Sequence, residues 1–306
     1  MTSLSFDGRV AVVTGAGRGI GRAYAMLLAA RGARVVVNDL GGSMEGDGAD
    51  HEPAAAVAHE IVAAGGAAVA DGSDVADQGG ATALIDTALE HFGRIDVLIT
   101  NAGIVRWSGL PLVDAENLKR HLDVHVFGSF HTVRAAWPHM VDQNYGRVVL
   151  TTSTGMLGLP DNTSYATAKA AVVGLMRSAR LAGAGHGITV NCIAPAAFTR
   201  MAGEDVDGTT GDPLATSMAP ELVAPMAAFL AHQDCPVSGE IYTAGAGRFA
   251  RIFVASTQGY LHPDGLPTVE DVAEHWEVIN DESGYFVPRN LTAWSRAFLA
   301  HLDHGD

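Results

Sequence analysis

Short apolar runs alternate strictly with segments of helical composition between Val10 and Ile193, and this limits the folds open to the chain more than any other feature. Val10–Val13, Arg34–Asp39, Ala67–Ala70, Ile95–Thr100, Arg147–Thr151 and Ile188–Ile193 read as strands. Ile20–Arg31, His51–Ala64, Ala76–Phe92, Asp114–Met140 and Tyr165–Ala184 read as helices between them. Buried parallel strands appear as apolar runs without alternation, and strict strand–helix succession predicts an α/β protein with a doubly wound parallel sheet. A helix over Glu221–His232 and a strand over Glu240–Thr243 complete this core, which is expected to occupy residues 1–244. Residues 245–306 form a C-terminal extension with Phe249, Phe253, Tyr260, Trp276, Tyr285, Phe286, Trp294 and Phe298. Such an aromatic tail is expected to pack on the core or on a partner subunit rather than to stay disordered. Two stretches read as long loops: Gly41–Asp50, longer than a strand-to-helix connection needs, and the polar Gly203–Pro213, read as a mobile flap.

The first strand runs into Thr14-Gly15-Ala16-Gly17-Arg18-Gly19-Ile20-Gly21. Gly15, Gly19 and Gly21 let the backbone approach a pyrophosphate at the start of the next helix, where unpaired N–H groups and the helix dipole favour negative charge. Arg18 and Ile20 lie within the same turn. Asp39 ends the second strand, where an acid accepts from both ribose hydroxyls of an adenosine and repels a 2′-phosphate. The expected cofactor is therefore NAD, although Arg18 pulls the other way. Asp74 and Val75 are placed beside the adenine, with Asp74 equally readable as a helix N-cap. Asn101, Ala102 and Gly103 at the end of the fourth strand are expected to line the same cleft of a Rossmann-like sheet.

Tyr165 and Lys169 stand four residues apart, on one face of a helix. A fixed ammonium beside a phenol favours the phenolate, so the pair is a proton donor and acceptor suited to alcohol–carbonyl chemistry. His121 and His125 share the same spacing, but with no third ligand in view no metal site is expected.

Thr14-Gly15-x-x-x-Gly19-x-Gly21, Asn101-Ala102-Gly103, a serine and Tyr165-x-x-x-Lys169, in this order, resemble the short-chain dehydrogenase/reductase family over roughly the first four-fifths of the chain. Val35–Gly42, Phe127–Met140, Asn144–Arg147, Pro220–Pro225 and the tail are similar to the subgroup of (3R)-hydroxyacyl-CoA dehydrogenase units found in type 2 peroxisomal multifunctional enzymes and their bacterial relatives. The resemblance implies that Tyr165 handles the proton, Lys169 lowers the Tyr165 pKa and holds the nicotinamide ribose, and a serine binds the reacting oxygen. It also implies that the main-chain carbonyl of His125, in a position where many members carry asparagine, holds a relay water, and that Pro195 and Thr199 lie beside the nicotinamide. The usual serine falls thirteen residues before the tyrosine. Here that position is Thr152, while Ser153 is twelve before. Counting along the strand favours Ser153, because strand register is harder to shift than loop length, and Thr152 stays open. Pro195-Ala196-Ala197 departs from the more usual Pro-Gly.

The expected activity is NAD-dependent oxidation of a secondary alcohol, with a (3R)-3-hydroxyacyl-CoA first and a free hydroxysteroid or other hydrophobic alcohol second. A dinucleotide-sensing protein without turnover is the rival from another class. With a formal net charge of −15, nucleic acid and acidic membranes are not expected partners. An anionic CoA would then depend on a few cations, with Arg106, Arg248 and Arg251 as candidates. Cys192 and Cys235 make no disulfide framework, Met1–Val10 has no signal-like pattern, and a cytoplasmic homodimer or homotetramer is expected.

Overall fold

The computed structural model describes residues 4–199 and 216–302, so the Gly203–Pro213 flap lies outside the described residues. The chain divides into two units, residues 1–251 and 252–306. In the first, β1 (Val10–Thr14), β2 (Arg34–Asn38), β3 (Ala67–Asp71), β4 (Val97–Thr100), β5 (Gly146–Thr151), β6 (Ile188–Pro195) and β7 (Ile241–Gly245) are joined by β8 (Arg248–Ile252) in one sheet of order β3-β2-β1-β4-β5-β6-β7-β8. The pairs from β3 to β7 are parallel, with Val12 opposite Val36 and Leu98, Leu98 opposite Val148, and Cys192 opposite Ile241. Only two residues, Ala246 and Gly247, separate β7 from β8, which permits only an antiparallel hairpin. The helices are α1 (Gly19–Ala30), α2 (Glu52–Ala63), α3 (Gln78–Phe92), α4 (Ala115–His121), α5 (Gly128–Asp142), α6 (Thr163–Gly183) and α7 (Ala224–Leu230).

β1, β2 and β4 are buried from end to end apart from Arg34, which explains their unbroken apolar runs. On one face, Ala11, Val13, Val35 and Val37 pack against Tyr24 and Leu28 of α1, Val57 and Ile61 of α2, and Ala227 and Leu230 of α7. Each fully buried aliphatic side chain of this size contributes about 1.5–3 kcal/mol. The strand order reverses between β1 and β4, so the crevice at their carboxyl ends is where an open α/β sheet binds its ligand.

Three elements differ from the sequence reading. The expected single helix 114–140 is α4 and α5 joined through a π-helical turn, Leu122–Phe127. The expected helix 221–232 is a 3₁₀ turn at Pro220–Leu222 followed by the short α7. β8 was not expected; its residues 248–251 are exposed, as on a sheet edge. With β8 in the sheet, the second unit begins at Ile252, not Gly245. That unit carries α8 (Val269–Glu274), α9 (Trp276–Ile279) and α10 (Leu291–Phe298), with a β-bridge between Ser256 and Phe286 and stacked pairs Tyr260–His275 and Trp294–Phe298. No described helix is long and apolar enough to cross a membrane.

Candidate active site

At the switch point the chain ties the ends of β1 and β4 together. Thr14 Oγ1 accepts from the main-chain N–H of Asn101 and Ala102 (2.9 and 3.0 Å), and Asn101 Nδ2 donates to the carbonyls of Thr14 and Gly15 (3.1 and 3.0 Å). A cavity of ≈370 Å³ opens here. Gly15, Arg18, Gly19, Ile20 and Gly21 line it from the glycine turn; Asp39, Asp74 and Val75 from the ends of β2 and β3; Asn101, Ala102, Gly103 and Thr199 from the other side. Twelve expected cofactor residues thus meet in one cavity, and Pro195, Tyr165 and Lys169 are outside its lining.

The turn is shaped to let backbone close in. Gly15 (φ +62°) and Gly19 (φ +52°) adopt the left-handed conformation, and a Cβ on Gly21 would strike the Gly15 carbonyl. α1 begins after Arg18 with no side-chain cap among the described residues and no acid in its first turn, and Gly19, Ile20 and Gly21 of that turn line the cavity. These residues fit a pyrophosphate. The Asp39 carboxylate accepts from Gly17 N–H (2.8 Å) and Gly41 N–H (2.7 Å), which fixes its direction at the end of β2. Asp74 does not cap α3; Asp77 does, accepting from Gly80 N–H (2.8 Å), which leaves Asp74 on the cavity wall.

Five residues of the 40–50 loop, Leu40, Gly42, Ser43, Met44 and Gly46, also line the cavity, with Ser73, Ile104, Arg120 and Val124. The sequence reading missed them. The only signal was the excess length of the loop.

The second cluster lies where α6 begins behind β5. Asn162 caps α6, accepting from Tyr165 N–H (3.1 Å), so Tyr165 and Lys169 fall on one face near the helix start. Ser153 accepts from Gly155 N–H (3.0 Å) and hydrogen-bonds the Tyr165 hydroxyl. Thr152 is buried and turned away, donating to the Lys169 carbonyl (2.6 Å). Lys169 is 4% exposed, and its ammonium donates to the Thr151 carbonyl at 3.0 Å and lies 5.6 Å from the Tyr165 ring centre. Burial lowers its pKa to about 7. Burial also pushes the Tyr165 hydroxyl above its ordinary value, and the bond with Ser153 pulls it back. Desolvation thus works against the positive charge expected at Lys169.

His125, on the π-helical turn, connects the two clusters. Its ring meets Tyr165 edge-on (5.5 Å between centres), and a Cβ on Gly103 would lie 2.6 Å from its Cε1. Its Nε2 lies 2.9 Å from the Ile104 carbonyl, to which it donates as the Nε2–H tautomer, and its buried Nδ1 has no hydrogen-bond partner among the described residues. Burial and the neighbouring Lys169 hold its pKa well below the usual histidine range. Its main-chain carbonyl accepts from Ser129 Oγ at 2.7 Å. His121 Nδ1 bonds the Asn117 carbonyl at 2.8 Å, and no group of metal-ligating side chains occurs among the described residues. Arg106 and Arg251 are occupied by ion pairs to Asp47 (2.9 Å) and Glu240 (2.8 Å), while Arg248 is exposed on β8.

The model of the short chain dehydrogenase family matches residues 9–208, which contain both clusters. The chain belongs to the short-chain dehydrogenase family. A short-chain type dehydrogenase/reductase of Mycobacterium tuberculosis is 43% identical over 277 residues, covering 90% of this chain and 95% of that protein. The peroxisomal multifunctional enzyme type 2 of Drosophila melanogaster is 41% identical over 284 residues, covering 92% of this chain but 46% of the enzyme. The full-length structure of that enzyme superposes with a TM-score of 0.81 over 98% of this chain and 50% of its own, at 32% identity. This chain therefore spans about half the length of that relative. A 7α-hydroxysteroid dehydrogenase, solved with NADH and 7-oxo glycochenodeoxycholic acid, superposes with a TM-score of 0.70 at 30% identity, over 81% of this chain and 98% of its own. The protein is thus a nicotinamide-dependent oxidoreductase acting on CH–OH groups.

Proposed function

We propose that the protein oxidises the hydroxyl of a (3R)-3-hydroxyacyl-CoA with NAD as acceptor. The observation that carries the substrate class is the extent of the likeness. The match to the multifunctional enzyme runs over 98% of the chain and so includes the unit after Arg251, whereas the hydroxysteroid dehydrogenase matches 81%. The resemblance of Val35–Gly42 and Phe127–Met140 to hydroxyacyl-CoA dehydrogenase units points the same way. Asp39 supports NAD over NADP, because its oriented carboxylate at the end of β2 accepts from ribose hydroxyls and repels a 2′-phosphate.

The residues of the glycine turn and Asp39 would hold the dinucleotide, which would supply the hydride acceptor for the carbinol carbon, or the donor in the reverse direction. Tyr165 accepts the hydroxyl proton, and Ser153, already bonded to the Tyr165 hydroxyl, holds the reacting oxygen. Tyr165 must be the phenolate to take that proton and becomes the neutral phenol, and the Lys169 ammonium, 5.6 Å from its ring centre, stabilises the phenolate beforehand. His125 braces the Tyr165 ring and offers Nδ1 as an acceptor behind the pair. With Tyr165 and Ser153 holding the hydroxyl and a bound nicotinamide on one side, a single enantiomer would present its hydrogen.

The test is NAD reduction, followed by absorbance, with (3R)- and (3S)-3-hydroxyacyl-CoAs and with 7α-hydroxysteroids. Much faster turnover of the (3R) thioester is expected. Oxidation of the steroid with no thioester turnover would replace the substrate and leave the dehydrogenase standing.

A further inference from the structure

Residues 40–50, between β2 and α2, form a loop closed at its neck and packed on itself. Asp50 N–H donates to the Leu40 carbonyl at 2.8 Å, and Gly41 is left-handed (φ +77°) where a Cβ would strike the Asp50 carbonyl. Inside the loop, Ser43 N–H donates to the Asp47 carbonyl (2.8 Å), and Ser43 Oγ accepts from Asp47 N–H (3.1 Å). A compact loop with its ends together is an Ω-type element.

Its tip is held from outside. Three consecutive carbonyls each meet a donor from the segment after β4 or from α4: Met44 from Val105 N–H (3.0 Å), Glu45 from Arg106 Nε (2.7 Å) and Gly46 from Arg120 Nη2 (2.6 Å). Arg106 also pairs with Asp47 (2.9 Å). Gly46 is left-handed (φ +89°), and a Cβ there would lie 2.9 Å from Ile104 Cγ2 and 3.3 Å from Arg120 Nη2. Connecting β2 to α2 requires none of this anchoring. The loop starts immediately after Asp39 and reaches Ile104, so it crosses the cavity from one wall to the other.

We propose that residues 40–50 are a clasp over the adenosine half of the dinucleotide, and that Arg106 and Arg120 are positioning residues that set cofactor affinity by holding it in place. The assignment rests on the reading of this cavity as the dinucleotide site. The clasp lies at the adenosine end because it shares its walls with Asp39, Asp74 and Val75. A chain of net charge −15 thus directs two of its arginines at its own backbone, where they shape the site instead of neutralising the ligand.

The experiment is calorimetric titration with ADP-ribose, which carries the adenosine half and undergoes no turnover, with nicotinamide mononucleotide as the fragment that lacks it. Arg106→Ala/Arg120→Ala together, and Gly46→Ala from the loop side, are expected to raise the ADP-ribose Kd roughly tenfold or more, the range for losing charge-assisted hydrogen bonds. Mononucleotide binding should be unchanged, and in steady-state kinetics the loss should appear in the NAD KM rather than in kcat. Arg106→Lys should recover part of it. ADP-ribose affinity within twofold of wild type in both variants would overturn the clasp. Should the double variant fail to fold, Gly46→Ala and Asp47→Asn decide between the same two outcomes. A wild type that binds neither ADP-ribose nor its 2′-phosphate would overturn the clasp and the dinucleotide site together. A preference for the 2′-phosphate form refutes only the choice of NAD, and the variants are then compared with that ligand.

Discussion

Replacing Lys169 with methionine is expected to stabilise the cofactor-free protein at neutral pH while ending turnover. The ammonium is 4% exposed, and burial lowers its pKa from 10.5 to about 7. In the unfolded chain the lysine keeps its ordinary pKa, so between pH 7 and 10.5 the unfolded state binds more protons and stability rises with pH. Below pH 7 the penalty of burying the charge is fully present; above pH 10.5 it vanishes. At 1.36 kcal/mol per pKa unit the penalty at neutral pH is about 4 kcal/mol, falling by roughly 2–3 kcal/mol between pH 6 and pH 9. Methionine is close in length, has no charge to desolvate, and forfeits the hydrogen bond to the Thr151 carbonyl, worth about 1.5–3 kcal/mol for a charged donor. The net gain at pH 6–7 is therefore about 2 kcal/mol, or several degrees in Tm. Chemical denaturation of wild type and Lys169→Met at pH 6, 7.5 and 9, without dinucleotide, measures it. The advantage of the variant should shrink with pH and approach zero or reverse by pH 9. A variant less stable than wild type at pH 6, or a difference independent of pH, would refute the assignment of a strained buried lysine.

Tyr165→Phe should lower kcat by about 10²–10⁴-fold and leave NADH binding, measured by fluorescence titration, within a fewfold of wild type. Ser153→Ala should abolish turnover with little change in Tm. Thr152→Ala should mainly lower Tm, by the loss of a buried hydrogen bond to the Lys169 carbonyl, about 1–3 kcal/mol. The reverse pattern would return the catalytic hydroxyl to Thr152. Asp39→Ser should narrow the NAD/NADP ratio of kcat/KM and also weaken NAD binding outright, because the carboxylate holds Gly17 and Gly41 as well. A wild type that prefers NADP would sink the assignment. Light scattering should report a dimer or tetramer, and Phe130→Glu should shift it towards monomer, since Phe127 and Phe130 stand 48% and 42% exposed around the start of α5.

How much of this was readable depends on the distance over which each signal acts. Strand and helix order follows from local patterning, and so do the glycine turn and the Tyr165–Lys169 pair, because both motifs sit inside single elements. The choice between Ser153 and Thr152 was not readable to the end. Their hydroxyls diverge on the two residues just past β5, one to Tyr165 and the other to the Lys169 carbonyl, and spacing from the tyrosine is blurred by a loop of variable length. The π-helical turn left no mark in composition, yet it carries His125. Asp74 and Asp77 are both plausible caps by residue type, and only the helix start separates them. Arg106 looked like a free cation for an anionic ligand. Its partner Asp47 lies 59 residues away in sequence, and pairing at that range has no local signature.

The charge of the protein shows the same limit and how the fold resolves it. A net charge of −15 opposes a pyrophosphate, and among the described residues two cations, Arg18 and Arg120, line the cavity. Arg120 is committed to the Gly46 carbonyl. Beside Arg18, attraction comes from the N-terminus of α1, where the dipole and unpaired N–H groups act at contact distance. Surface carboxylates farther away than a Debye length, about 8–10 Å, are screened. Anion binding then depends on backbone geometry, set by Gly15, Gly19 and Gly21, more than on composition. That is why an acidic chain can hold a dianionic diphosphate, and why a substitution as small as Gly21→Ala, whose Cβ would meet the Gly15 carbonyl, should matter more to the site than the removal of a surface charge.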